Sequence, residues 1–130
     1  LPGKRRLRFL HDFGRSLARM ADRGVWPGDA KACNFFVLEK GDGWTFPLVA
    51  VDSLKLRQPD ILDVAQAFMQ LTLSTPRAVS RRARIRLVRE MLGRRGRRDW
   101  KELVQMSAKL AGTEKILYQS DAGDVTEPQP

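Results

Sequence analysis

Residues 26 to 57, WPGDAKACNFFVLEKGDGWTFPLVAVDSLKLR, set two short apolar runs around a glycine-rich turn, in a chain whose remaining pattern is helical. "FFVLE" and "PLVAVD" have the length and make-up of strands. The intervening "KGDGW" contains Asp-Gly, a strong hairpin signal. An antiparallel hairpin returns the chain to its start. Asp52, at the end of the second run, is therefore predicted to lie near Asn34, just ahead of the first. Residues 25 to 34 read as a loop, with Pro27 and Gly28 as breakers.

The rest of the chain carries helical periodicity. In residues 4 to 23, Leu7, Leu10, Leu17 and Met20 recur on one face, Phe9 and Phe13 widen the stripe, and Gly24 is the stop. "DILDVAQAFMQLTLS" is apolar on most sides, which predicts a helix over 60 to 73 buried in the middle of the domain, closed by Pro76. "RRARIRLVREMLGRR" predicts a third helix with Ile85, Leu87, Val88, Met91 and Leu92 inward and arginine outward. Gly93 and Gly96 break it. A fourth runs from a cap at Asp99 to Gly112. The fold class is therefore α+β and mostly helical: one long helix, a loop, a β-hairpin, then three helices. Residues 1 to 118 form the folded unit. The tail from 119 to 130 has little to bury and is predicted to be disordered.

With 130 residues and 42% apolar content, the chain can build one domain with a modest core. One cysteine, Cys33, excludes an internal disulfide framework and fits a reducing compartment; it reads as a small buried residue. His11, the single histidine, lacks a second ligand near it and reads as solvated or capping. No run of about eighteen apolar residues is present to span a bilayer. The opening "LPGKRRLRF" lacks an initiator Met and a signal-peptide core, so the chain is expected to be a piece of something longer. A formal net charge of +9 favours anionic partners without choosing among them.

Asp29, Lys31, Asn34 and Asp52 form the constellation with chemical content. Mg²⁺ prefers carboxylate, amide oxygen and water, and Asn34 and Asp52 can supply two such ligands from neighbouring segments. Lys31 can place a point charge on a transferring phosphate. Asp29 can accept or orient a hydroxyl proton. Each also has an ordinary reading: Asp29 as a turn cap, Asp52 as a turn residue at a strand end, Asn34 as a hairpin-edge residue, Lys31 as a solvated side chain.

"GVWPGDAKACNFFVLE…WTFPLVAVDSLKLR" resembles the catalytic loop and metal-binding strand pair of the protein-kinase-like fold. More narrowly, it resembles the lipopolysaccharide kinases, which phosphorylate Kdo or heptose sugars of the bacterial inner core. Gly24, Val25, Asp29, Asn34, Phe35, Phe36 and Val37 fit the first of that family's patterns. Leu48, Val49, Val51, Asp52, Leu54, Lys55 and Arg57 roughly fit the second. The resemblance implies the C-terminal lobe of an ATP- and Mg²⁺-dependent kinase. Asp29 would be its catalytic aspartate, Lys31 a catalytic and nucleotide-phosphate contact, and Asn34 and Asp52 its metal and cofactor ligands. The family's His and Arg before the catalytic Asp are Pro27 and Gly28 here, and Ser53 follows the metal Asp. The glycine-rich loop and strand lysine of a first lobe are absent from this sequence. The lobe alone is expected to bind nucleotide poorly and to turn over nothing measurable.

Residues 81 to 98 hold nine arginines against one glutamate. Beside a plain solvated face, this suggests a surface for anionic lipid headgroups, carried by Arg94, Arg95, Arg97 and Arg98. The implied setting is cytoplasmic, peripheral to the inner membrane, with a lipopolysaccharide precursor or other sugar as substrate. Nucleic acid ranks third, because aromatics for stacking are sparse. The contrasting reading is a catalytically inactive kinase-like remnant, or an arginine-rich module that binds acidic membrane or nucleic acid.

Overall fold

A computed structural model describes residues 3–49, 52–93 and 96–130, the side chains at 96–98 excepted. The order is α1 (Gly3–Asp22), β1 (Trp26–Pro27), a 3-10 turn (Ala32–Asn34), β2 (Leu38–Lys40), β3 (Gly43–Thr45), β4 (Leu54–Lys55), α2 (Ile61–Leu73), α3 (Arg81–Leu92), α4 (Gly96–Ala111), β5 (Ile116–Ser120) and β6 (Gly123–Glu127). The protein is α+β, with four helices and three two-stranded antiparallel sheets among the described residues.

The predicted apolar stripe of α1 buries Leu10, Phe13 and Leu17. Gly24, at φ 73°, takes the left-handed conformation that ends the helix. The hairpin lies on this face through aromatic rings: Phe13 meets Phe46 at 4.7 Å and Phe35 at 5.0 Å, and Phe9 meets Trp44 at 5.4 Å. Edge-on and tilted ring pairs at these separations add attraction beyond area burial. Asp12 fixes the hairpin's height, since its Oδ2 accepts from the Trp44 N–H at 3.0 Å. Burial opposes charge on Asp12, but the Trp44 N–H and Arg8 outweigh it and hold the carboxyl below its usual range. A Cβ at Gly43 would lie 2.6 Å from that same oxygen, so a side chain there would displace the Asp12 carboxylate.

The hairpin's strands are shifted from the expected runs. The two-residue turn is Gly41-Asp42, with Gly41 at φ 60°, a left-handed first position of the II′ kind. That turn pairs Leu38 with Thr45 and, in the same register, Phe35 with Leu48. The second strand is therefore Gly43–Thr45 rather than "PLVAVD". Asp52 falls in a turn before β4, and not at a strand end.

α2 carries the largest buried share of the four helices, with Val64, Ala65, Ala67, Phe68 and Leu71 in the core. Asp60 and Asp63 form a reciprocal capping box at its start. α3 departs from expectation at one residue. Arg84, read as outward, is 5% exposed and donates to the carbonyls of Val79, Thr72, Thr75 and Pro76 at 2.8 to 3.1 Å. It thereby satisfies the end of α2 and the turn after it, where helix carbonyls lack intrahelical partners. α4 begins at Gly96, three residues ahead of Asp99, which sits in its first turn rather than capping it.

The tail is also corrected. Residues 116–127 form a β-hairpin, Ile116 is fully buried, and the Glu127 carboxylate accepts from the Arg77 N–H at 3.1 Å. Ile116 supplies the apolar anchor that the polar sequence around it conceals.

Candidate functional site

The loop between β1 and β2 is held from both sides by groups outside it. Underneath, two α2-side groups hold its backbone: Gln70 Oε1 accepts from the Ala30 N–H, and Ser74 Oγ accepts from the Ala32 N–H, both at 2.8 Å. Ala30 is fully buried between them. Neither Gln70 nor Ser74 belongs to the expected constellation. The available signal was polar side chains inside or ending an otherwise apolar helix, where a buried polar group needs a partner.

Beside the loop, β1 pairs with β4, Trp26 with Lys55 and Pro27 with Leu54. The ladder continues as Gly28 N–H to Ser53 carbonyl at 3.0 Å. A Cβ on residue 28 would lie 2.2 Å from that carbonyl oxygen. Glycine at 28 is therefore what allows the approach, and the residues on either side of this bond are Asp29 and Asp52. The neighbouring Trp26 is fully buried and anchors the strand, with Pro27 buried after it.

Asn34 closes the loop on itself. Its Nδ2 donates to the Asp29 carbonyl at 3.0 Å, and its Oδ1 accepts only a weak bond from the Cys33 thiol at 3.8 Å. The Asn34 carbonyl also accepts from the Val49 N–H at 2.9 Å, three residues ahead of Asp52. The Asp29 carboxylate is half-buried, and its Oδ1 is shielded from solvent without a hydrogen-bond partner. A buried carboxylate oxygen in that condition is costly unless it serves a bound group. Lys31 and Asp52 are exposed.

Asp29 and Asn34 are thus joined by a direct bond, the strand pair brings the Asp52 turn against Gly28, and Lys31 is exposed on the same loop. Asp52 shares no hydrogen bond with either among the described residues. The donor set around the loop is a carboxylate and an amide oxygen, the hard-oxygen chemistry that suits Mg²⁺ when water and phosphate complete the shell. No cluster of three or more His, Cys, Asp or Glu able to hold a metal occurs among the described residues.

Cys33 is exposed on the 3-10 turn, contrary to the buried reading. None of the three residues of this turn is buried. His11 is exposed on α1, with Nδ1 3.3 Å from Asp12 Oδ1. Of the arginine cluster, Arg94 and Arg95 lie outside the described residues, as do the side chains of Arg97 and Arg98.

An ion cluster braces β4. Asp63 accepts from Lys55 Nζ at 2.9 Å and from both terminal nitrogens of Arg57 at 2.5 and 3.0 Å. Burial opposes its charge, yet Lys55, Arg57 and the Asp60 N–H hold it well below the usual carboxylate range. Lys55 and Arg57, matched above to a family pattern, are here engaged in positioning the strand beside Asp52. No helix among the described residues is long and apolar enough to cross a membrane. No family model matches the chain, and no characterised protein matches it either.

Proposed function

We propose that this chain is the C-terminal lobe of an ATP- and Mg²⁺-dependent phosphotransferase whose acceptor is a sugar hydroxyl of the lipopolysaccharide inner core, working at the cytoplasmic face of the inner membrane. The observation that carries the reading is the loop's construction. One bond ties Asn34 to the Asp29 carbonyl, and one glycine-dependent bond draws the Asp52 turn against Gly28. Rigid placement of acidic and amide oxygens from separate segments is what a phosphoryl-transfer site requires, since its catalysis is largely positioning and charge stabilisation. Asp29 orients the acceptor hydroxyl and receives its proton. Lys31, free in solvent, swings onto the transferring phosphate. Asn34 Oδ1 and the Asp52 carboxylate would hold Mg²⁺, which would neutralise phosphate charge.

The test is phosphate transfer from ATP to a lipid A–core acceptor by the protein of which this chain is expected to be a lobe. Asp29→Ala is expected to abolish turnover and to leave Mg·ATP affinity nearly unchanged. Asp52→Ala is expected to lose both. Retention of activity in both variants refutes the reading. An unaltered protein with neither transfer nor Mg²⁺-dependent ATP binding is instead an inactive relative.

A further inference from the structure

A groove with a volume of about 1610 Å³ runs between α1 and α3, away from the Asp29 loop. Arg6, Arg15 and Arg19 line it from α1, and Arg82, Arg86 and Arg89 from α3. All six are exposed, and none pairs with a carboxylate among the described residues. The lining between them includes Leu7, Leu10, Ile61, Ile85 and Leu92. Four acids also reach it, Asp22, Asp60, Glu90 and Asp99, but Asp60 is engaged in capping α2. The six cations outnumber the four acids along a lining in which apolar and polar side chains are mixed.

We propose that this groove is a docking site for an acidic amphipathic helix of a partner protein. The inference stands apart from the phosphotransfer reading. Three features select that occupant. First, the guanidinia are strung out: Arg15 and Arg19 lie one turn apart on one face of α1, with Arg6 nearer its start, and Arg82 to Arg89 spans about 10 Å of α3. A single phosphate headgroup would use one end of such an array, whereas a helix with carboxylates along both flanks uses all of it. Second, the site is concave and sets apolar side chains among its charges, so it can receive the apolar stripe of a helix. A flat bilayer would reach only the rim. Third, the nearby aromatic ring, Trp100, is covered by Arg89 at 5.8 Å and Lys101 at 5.6 Å, so base stacking is poorly served.

The probe is a fluorescein-labelled synthetic peptide of about four helical turns, with a leucine stripe flanked by glutamate on both sides. Anisotropy is read against a scrambled peptide, a lysine-flanked version, phosphatidylglycerol vesicles and single-stranded oligo(dT). The glutamate peptide is expected to bind the 130-residue chain in a salt-sensitive way. Arg82→Glu with Arg86→Glu is expected to weaken it by at least about tenfold and to admit the lysine-flanked peptide. Both positions are exposed, and glutamate in the first turns of α3 suits the helix dipole, so the variant should remain folded, as circular dichroism will verify. Binding no tighter than the scrambled peptide overturns the proposal, as does an unchanged affinity in the double variant. Vesicle or oligo(dT) binding that the double variant loses, without peptide binding, reassigns the groove to that ligand.

Discussion

Asp63→Asn removes one charge from a carboxylate that is 5% exposed and receives four hydrogen bonds, three from cations and one from the Asp60 N–H. Lys55 is 36% exposed, so solvent screening reduces its attraction to roughly 0.2–1 kcal/mol, and the more exposed Arg57 is screened further. The carboxamide adds a second cost. It accepts at one oxygen only and turns an NH₂ toward two cations in a buried position, about 1–3 kcal/mol. Together the loss is about 1–4 kcal/mol, larger than that for Arg57→Ala, whose partner keeps Lys55 and the backbone N–H. Urea unfolding followed by tryptophan fluorescence measures this, with fully buried Trp26 as a reporter. At an m-value near 2 kcal/mol/M, the midpoint should fall by about 0.5–2 M. The pH dependence has a definite sign. The folded carboxyl sits below its unfolded value of about 3.9, so its contribution is complete above that pH and fades as pH falls below it. Unaltered chain and Asp63→Asn should therefore differ by a constant amount from pH 7 to about 5 and converge in acid. Equal midpoints for Asp63→Asn and Arg57→Ala, or a difference that widens in acid, would refute the assignment of a charged buried brace.

Phe68→Ala should cost about 3–5 kcal/mol by leaving a cavity at the centre of α2, read as a lowered urea midpoint. Arg84→Ala should cost a similar 3–5 kcal/mol, because four carbonyls around the end of α2 lose their buried donor; proteolysis is expected to begin in residues 72–80. Combining Gln70→Ala with Ser74→Ala should cost about 1–3 kcal/mol and raise hydrogen exchange selectively at the amides of Ala30 and Ala32.

The long elements were legible because their burial follows a simple period. Leu10, Phe13 and Leu17 on α1, and Val64, Phe68 and Leu71 on α2, recur as one helix face must. The pairing of β1 with β4 was not legible, since two residues a side leave no alternation to read. What specifies it is Gly28, which looked like a breaker and serves as a close contact. Arg84 was misread by type. Its spacing places it on the same face as Val88 and Met91, both buried, and that position outweighed the habit of facing arginine outward. The final hairpin was hidden by its exposed, polar strands, whose Tyr118–Val125 pairing is the one hint of alternation. In the site, sequence offered Asp29, Lys31, Asn34 and Asp52, but not the Gln70 and Ser74 that fix the loop. Such partners are set by tertiary packing, forty and forty-two residues away.

The loop's attachment has an evolutionary consequence. Gln70 and Ser74 grip peptide N–H groups, which every residue except proline carries, rather than the side chains at 29, 31 or 34. Selection for a folded chain therefore presses on Ala30, Gln70 and Ser74 and only lightly on Asp29 or Lys31. On the proposed phosphotransfer reading, a lineage released from the need for turnover would keep the scaffold intact while those two positions drift. Variation at 29 and 31 against constancy at 30, 70 and 74 would then date the loss of activity without any loss of fold.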